Sequence, residues 1–312
     1  FGQAIAEYEQ IGEIIYRAMS YAQLYYAGDQ TDPQRGRFHQ GIHERVTDIS
    51  SHTLFFTLEI NRLDDAVLAA KQASAKAAHY GPWLRDVRAF RPHQLSDEVE
   101  QLLHDKSVAG RAAWHRLFDE TMARLRFPVE GRSLTSAEAL HLMSDPDRAR
   151  RQAAAQSLGT VLTENAGLFA LITNTLVKDK EIEDRWRKYA RPQSFRNLSN
   201  QVEDEVVDAL VAAVRGCYGQ LSHRYYALKA KWFGVDRLDY WDRNAPLPDV
   251  ADRTYDWEAA RDTVLGAYAA FSPEMAAVGR RFFDGNWIDA PVRPGKSPGA
   301  FAHPTVTSGF YV

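Results

Sequence analysis

Residues 2–27 read GQAIAEYEQIGEIIYRAMSYAQLYYA, and their apolar residues recur every three or four positions. Ile5, Tyr8 and Ile11 fall on one face of a helix at this spacing, because an α-helix completes a turn in about 3.6 residues. The stretch therefore predicts a long amphipathic α-helix at the start of the chain. Neither a Met nor a capping residue precedes it, so we expect the natural chain to begin further upstream.

The same spacing continues through the first 125 residues. It predicts three further long helices, at 36–61, 63–79 and 96–125. Ser96 gives the last of these a capping side chain, and acidic residues in its first turn suit the positive end of a helix dipole. Four long helices are thus expected to follow one another.

A break in the helical pattern follows at 127–131, where the sequence reads FPVEG. Pro and Gly punctuate helices, so we interpret this stretch as a hinge between helical layers. Thr135 and Glu138 then stand three residues apart, which is the spacing of a capping box at the start of a helix. A short helix is therefore expected after the break.

The rest of the chain alternates between helical and strand-like patterns. Helices are predicted at 146–186 (one long helix or a pair), 202–233, 256–270 and 273–284. Short strands and turns are predicted at 239–242, 287–292 and 299–312. We therefore predict a mostly α fold with a small α+β portion near the C-terminal end of this chain.

Composition limits the classes of protein that this chain can represent. Of 312 residues, 45% are hydrophobic, which is enough for one large domain or two ordinary ones. The formal net charge is −3 and no basic stripe is present, so nucleic acid and anionic membranes are not expected partners. No apolar run reaches a membrane span and no signal peptide is recognisable, which favours a soluble, cytoplasmic protein. The single cysteine, Cys217, is predicted to be a small buried hydrophobe.

No catalytic motif emerges from the residues themselves. A His-Glu-x-x-His zinc motif is absent. His39 and His43 have the four-residue spacing of a metal pair, but a solvated polar face is the more common explanation. The nucleophile elbow of serine hydrolases and a Gly-rich phosphate loop are also missing. Four aromatic residues could line a peptide cleft, although we favour core positions for most of them: Tyr240, Trp241, Trp257 and Trp287.

Several stretches resemble one peptidase family. Residues 282–302 read FFDGNWIDAPVRPGKSPGAFA, which is similar to the segment leading into the active site of oligoendopeptidase F and its relatives in the thimet oligopeptidase superfamily of zinc peptidases. Residues 196–210, 239–247 and 98–158 agree with this resemblance. Together the matches cover nearly the whole chain.

The resemblance implies a large α-helical peptidase fold that cuts short oligopeptides in a deep cleft. It also implies a zinc cofactor, whose ligands would lie beyond Val312, so that this chain contains no metal ligand and no catalytic residue. The implied regions are an N-terminal helical region (1–95), an oligoendopeptidase F-type helical domain (96–160) and the first part of the catalytic domain (161–312). On this reading the segment supplies a cleft wall and is inactive alone.

The resemblance further implies a substrate-binding segment, made of Gly299, Ala300, Phe301 and Ala302. A strand in this place would pair with the peptide main chain, and its small residues would let a substrate backbone approach closely. The alternative is a plain sheet strand with a glycine at its turn. The match weakens over 305–312, where the sequence TVTSGFYV departs from the family pattern.

Other functions compete with an oligopeptidase. The first alternative is a non-enzymatic α-helical binding or scaffold module that retains the fold without the metal site. A metal-independent hydrolase is a weaker one. Oligopeptides are the expected partners, and the sequence leaves the oligomeric state open.

Overall fold

The computed structural model describes residues 1–248, 254–297, 299–305 and 309–311. Within these residues the chain is mostly α-helical, as predicted. Its α-helices are α1 (Gly2–Ala27), α2 (Pro33–Ser51), α3 (Leu54–Arg62), α4 (Asp65–Gln72), α5 (Ala75–Ala78), α6 (Gly81–Ala89), α7 (Asp97–Lys106), α8 (Arg111–Arg124), α9 (Ser136–Leu142), α10 (Arg148–Glu164), α11 (Ala166–Trp186), α12 (Ser194–Ser199), α13 (Asp204–Cys217), α14 (Arg224–Trp232), α15 (Trp257–Phe271) and α16 (Pro273–Asp284). In the described part of the chain, no helix is both long and apolar enough to cross a membrane.

Two small antiparallel hairpins supply the strands of the described residues. β1 (Phe127–Val129) pairs with β2 (Arg132–Leu134), and Phe127 faces Leu134. β3 (His303–Thr305) pairs with β4 (Gly309–Tyr311), and His303 faces Tyr311. The second hairpin lies within the C-terminal stretch predicted to form strands, 299–312, of which residues 306–308 and 312 lie outside the described part.

The prediction of four long consecutive helices is wrong for three of them. The stretch 36–61 divides into α2 and α3, 63–79 into α4 and α5, and 96–125 into α7 and α8. Short polar side chains explain two of these divisions. The Thr53 hydroxyl donates to the Ser50 carbonyl between α2 and α3, and the Ser74 hydroxyl donates to the Lys71 carbonyl between α4 and α5. Such bonds give the backbone an alternative to continuing the previous helix.

Other helix boundaries agree more closely with the sequence. α1, α15 and α16 confirm the predicted helices, and the stretch 146–186 is a pair, α10 and α11. The stretch 202–233 is interrupted by a π-helical turn at Gly219–His223. The strand predictions at 239–242 and 287–292 are wrong. The first is a 3₁₀ turn closed by its own Asp239 and Asp242, and the second has no regular structure.

The break at 127–131 consists of β1 and the turn of a β-hairpin, which the sequence pattern did not predict. Glu130 and Gly131 have φ values of 50° and 76°, which suits the two-residue turn of a hairpin. Phe127 and Leu134 point into a core that Ala139 of α9 and α10 complete. The hairpin thus packs the chain together at the point where the sequence indicated a flexible joint.

The predicted capping box at the start of α9 is confirmed. The Thr135 amide donates to Glu138 Oε2 at 2.8 Å, and the Glu138 amide donates to Thr135 Oγ1 at 3.3 Å. Each side chain therefore satisfies the main-chain N–H of the other residue, which fixes where the helix begins.

A second core holds the N-terminal helices together. Ile5 of α1 packs with Ile60, Leu68 and Leu84, so that α1, α3, α4 and α6 share one apolar cluster. Gly2 lies so close to the α5 backbone that an added Cβ would be 2.6 Å from the Lys76 carbonyl carbon. α1 is therefore anchored at its start by direct backbone contact.

Cys217 is exposed, so the prediction that it is buried is wrong. Its apolar neighbours in α13, which suggested burial, are exposed as well: Leu210 by 63% and Val214 by 47%. Helical periodicity identifies an apolar face, but it does not show whether another element covers that face.

A buried ionic cluster joins α10 to the 3₁₀ turn at 240–242. Asp242 and Arg151 are each 1% exposed, and Arg151 donates to Asp242 Oδ1 at 2.9 Å. Arg148 donates to the other carboxylate oxygen at 3.1 Å. Burial alone would raise the pKa of Asp242, but the hydrogen bonds from Arg151 and Arg148 outweigh it and hold that pKa below its ordinary value.

We expect Asp242→Asn to lower the free energy of unfolding by about 3–5 kcal/mol, because it leaves the buried Arg151 guanidinium without its counter-charge. Urea unfolding measures the loss. The matched control is Asp262→Asn, since Asp262 forms an exposed ion pair with Arg261. This substitution should lower the free energy of unfolding by less than about 1 kcal/mol. Equal losses in the two variants would contradict the argument.

The same pair of variants gives an expectation for pH. Because the pKa of Asp242 is lowered by folding, its stabilising effect is fully present above its unfolded pKa of about 3.9 and declines as the pH falls below that value. The difference in unfolding free energy between wild type and Asp242→Asn should therefore shrink in acid. A difference that grows below pH ~4 would contradict this sign.

Candidate functional site

The segment after α16 turns sharply and holds a tryptophan in place. Asn286 is left-handed at φ 52°, and the Trp287 amide donates to the Phe282 carbonyl at 2.9 Å. An added Cβ on Gly285 would lie 2.5 Å from Trp287 Nε1. The indole therefore packs directly over Gly285, beside the Arg281 guanidinium, whose carbon lies 5.5 Å from the ring centroid.

The next residues dock onto the C-terminal end of α1. The Gln30 amide donates to the Gly295 carbonyl at 2.7 Å, and the Ser297 amide donates to the Ala27 carbonyl at 2.8 Å. Gly295 is left-handed at φ 81°, and an added Cβ would lie 2.1 Å from Asp29 Oδ1. Only glycine fits this contact, on both conformational and steric grounds.

Charged side chains stiffen the docked segment. Asp289 accepts two hydrogen bonds from Arg293, at 2.9 and 2.7 Å, and Arg293 also donates to the Gly28 carbonyl. Lys296 Nζ donates to the carbonyls of Asp289 and Pro291. The bonds from Arg293 lower the pKa of Asp289 below its ordinary range. Hydrogen bonds among its own residues therefore hold the segment 289–297 in shape, in addition to its contacts with the end of α1.

A cavity of about 400 Å³ lies between this segment, the end of α1 and the start of α9. Such a volume is within the range of small-molecule and cofactor sites. Its apolar lining comes from both ends of the chain: Leu24, Ala27, Trp287, Ile288, Val292 and Phe301. The docking of the segment onto α1 therefore creates the cavity.

The structure brings three of the four predicted substrate-binding residues to this cavity. Gly299, Ala300 and Phe301 line it, while Ala302 follows them and leads into β3. All four are exposed. No main-chain hydrogen bond joins residues 299–302 to any other residue of the described ranges. The stretch is thus an open main chain beside an apolar cavity, and it ends before β3 begins.

β3 is itself attached to α1. His303 Nε2 lies 2.9 Å from the Ser20 hydroxyl oxygen. The open stretch 299–302 is therefore held at both ends, by the docked segment on one side and by His303 on the other.

The structure corrects the aromatic prediction. Tyr240 is 64% exposed and Trp257 is 51% exposed, so neither is a core residue. Trp287 lines the cavity, and Trp241 is half-buried beneath the Arg148 guanidinium. Sequence reasoning did not single out Ile288 and Val292, although they lie within the stretch 282–302 that carried the family resemblance. It gave no signal for the cavity residues of α1, Leu24 and Ala27.

His39 and His43 do not converge as metal ligands. Their ring centroids are 6.1 Å apart, and His39 Nε2 is 3.0 Å from Gln23 Oε1. Burial, with the nearby His43 and Arg116, lowers the pKa of His39 to about 4. Among the described residues, no group of three His, Cys, Asp or Glu side chains could hold a metal ion. The described part of the chain therefore does not fit a zinc ion.

Comparisons with known proteins point to a single class. A family model described as Oligopeptidase F matches residues 59–127. Oligopeptidase PepF of Bacillus subtilis (strain 168) is 22% identical over 96% of this chain and 46% of its own length. Group B oligopeptidase PepB of Streptococcus agalactiae serotype III is 28% identical over 72% of this chain and 38% of its own length. The chain thus spans less than half of either relative.

The fold agrees with these sequence matches. The crystal structure of oligoendopeptidase-F from Enterococcus faecium superposes on 91% of this chain with a TM-score of 0.71, at 23% identity, and the chain covers 53% of that structure. The helical architecture described above is therefore that of the oligoendopeptidases. In sequence and in fold, the chain is oligoendopeptidase F-like.

We expect the His39 imidazole to titrate near pH 4 in a ¹H–¹⁵N NMR titration, because burial disfavours its charged form. Since folding lowers this pKa, the protein should lose stability as the pH falls from about 6.5, the unfolded value, towards 4. Titration of His39 near pH ~6.5 would show that its ring is solvated in solution.

We expect Gly295→Ala to loosen the docked segment, because Ala must adopt a left-handed φ and its Cβ would overlap Asp29. Native-state hydrogen exchange at the Gln30 and Ser297 amides should accelerate at least about tenfold, the effect of 1.4 kcal/mol. Gly299→Ala is the matched control: Gly299 is also left-handed, at φ 84°, but its added Cβ meets nothing within 4 Å. Equal acceleration in both variants would exclude the steric contact as the cause.

Proposed function

We propose that this protein is an oligopeptidase, and that residues 299–302 bind the main chain of short peptide substrates. The observation that carries the proposal is the open main chain of these residues, held at both ends beside a cavity. The names of the relatives support peptide hydrolysis as the reaction. They do not favour the alternative of a non-enzymatic helical module.

Backbone pairing explains how such a segment would bind many peptides. Main-chain N–H and C=O groups recognise any peptide that adds as an extended strand, whatever its side chains. Gly299, Ala300 and Ala302 have small or no side chains, so that a second backbone can approach. β3 continues from Ala302, and the added strand could therefore extend along it.

Zinc dependence is part of the proposal. The family resemblance implies that the ligands would lie beyond Val312, and among the described residues no group of three His, Cys, Asp or Glu side chains could hold a metal ion. On this proposal the 312 residues form the substrate-side wall of the cleft and do not turn over alone. The division into regions 1–95, 96–160 and 161–312 and the cytoplasmic location likewise remain predictions.

Backbone methylation of the ligand tests the binding mode. In a six-residue peptide, N-methylation of alternate amides should weaken binding roughly three- to tenfold per lost hydrogen bond, because every second amide of a strand faces its partner. Methylation of the intervening amides is the internal control. Binding is measured by isothermal titration calorimetry on the 312-residue chain. Equal weakening of binding by methylation at every amide, or no weakening at any amide, would exclude strand pairing.

Chelation tests the proposed metal dependence. We expect no chelator-sensitive cleavage of peptides by the purified 312 residues, with liquid chromatography and mass spectrometry as the readout. Chelator-sensitive turnover by this chain would show that its own residues hold the metal. Reading the coding sequence beyond Val312 gives an independent check, since a His-Glu-x-x-His motif on a helical pattern is expected there.

A further inference from the structure

We infer that the cavity beside residues 299–301 is a specificity pocket for one large apolar side chain of the bound peptide. The inference rests on the proposed peptide binding along 299–302 and adds a substrate preference to it. Backbone pairing alone gives affinity without selectivity, so any preference must come from a pocket next to the paired segment.

The position of the cavity fits this role. Gly299, Ala300 and Phe301 belong both to the open main chain and to the cavity wall. Successive side chains of an extended peptide point to opposite faces. A peptide lying along 299–302 would therefore direct alternate side chains towards the cavity, and one of them would enter it.

The walls of the cavity determine which side chains it accepts. Trp287, Ile288 and Phe301 supply apolar and aromatic surface, and the volume of about 400 Å³ leaves room for the largest apolar side chains. Burial in such surroundings is favourable for Leu, Phe or Trp. It is unfavourable for a charged side chain, which would lose water without gaining a partner.

The charges at the rim do not change this preference, because both cations already have partners within the loop and at the end of α1. Arg293 and Lys296 both pair with Asp289, at 2.7 and 3.3 Å. Each of these cations also donates to main-chain carbonyls of the same region. Their hydrogen-bonding capacity is thus directed into the loop and α1 and away from a ligand. The polar rim fixes the shape of the pocket, and the apolar walls determine which peptide side chains it accepts.

Contacts within the chain form the pocket. Its floor is the docked junction between α1 and residues 295–297, and its side is the tryptophan packed over Gly285. A pocket that does not reorganise retains more of the free energy of side-chain burial as affinity. Even a single substitution in the peptide should therefore produce a measurable difference.

A peptide series tests the inference directly. A six-residue Gly/Ser host peptide carries Ala, Phe, Asp or Lys at one position, which is moved along the host. Calorimetry on the 312-residue chain measures each dissociation constant. We expect the Phe peptide to bind roughly tenfold to hundredfold more tightly than the Ala peptide when the substitution is at one position, or at either of two alternate positions (i and i+2) of the host. Asp and Lys should bind no more tightly than Ala.

A matched pair of variants locates the effect. Val292 lines the cavity and is 67% exposed, so Val292→Trp should fill the space and bring the Phe-to-Ala ratio close to one. Val177→Trp is the control, because Val177 is an exposed residue of α11 and does not line the cavity. It should leave the ratio unchanged. Circular dichroism and urea unfolding show whether both variants fold. The peptide series on the wild-type chain tests the inference independently of the variants.

The outcomes separate this inference from the proposed function. Equal binding of Phe and Ala peptides at every position, or a preference that survives Val292→Trp, would overturn the specificity pocket and leave backbone binding intact. If no peptide binds at all, including the unsubstituted host, the proposed role of residues 299–302 fails and the pocket fails with it.

Discussion

The two hydrogen bonds between the end of α1 and residues 295–297 are the interaction on which the candidate site depends. They bring together parts of the chain that are more than 260 residues apart in sequence. The cavity exists because of this contact, since Leu24 and Ala27 form one wall and residues within 286–297 and 299–301 form another. The left-handed Gly295 permits this docking, because an added Cβ would overlap the side chains of Asp29 and Thr31. The ion pairs of Asp289 act locally by keeping the segment in a shape that can dock.

Within a few residues, the site combines a segment whose polar groups form hydrogen bonds with a segment whose main-chain groups have no such partners in the described ranges. Residues 289–297 direct their polar groups inward, to Lys296, Arg293 and α1. Residues 299–302 make no comparable main-chain bonds within the described ranges. An unpaired main chain at the surface costs little while water solvates it, and it offers donors and acceptors to a ligand. The proposed function uses this contrast: the closed loop fixes the position and the open stretch binds.

Local signals in the sequence predicted much of the fold. α1, α16 and the Thr135–Glu138 capping box follow from spacing and caps alone, since their determinants lie within a few residues. Non-local determinants account for the failures. Cys217 was predicted to be buried because periodicity cannot show which faces are covered. The strand predicted at 287–292 is wrong because ion pairs and docking onto α1, rather than β propensity, shape that segment. Residues 299–302 came from family resemblance, and the cavity could not be anticipated without knowing that α1 lies beside it.

The long sequence separation of the α1 junction also affects how the chain folds. Closing a contact between positions near 27 and 297 requires a large loss of chain entropy, so contacts of this kind form late, after the local helices and the hairpin at 127–134. The cavity and the open stretch beside it are therefore assembled at the end of folding. A partly folded chain would have most of its helices but not this cavity. On the proposed function, peptide binding would therefore report completed folding in a way that helical content cannot.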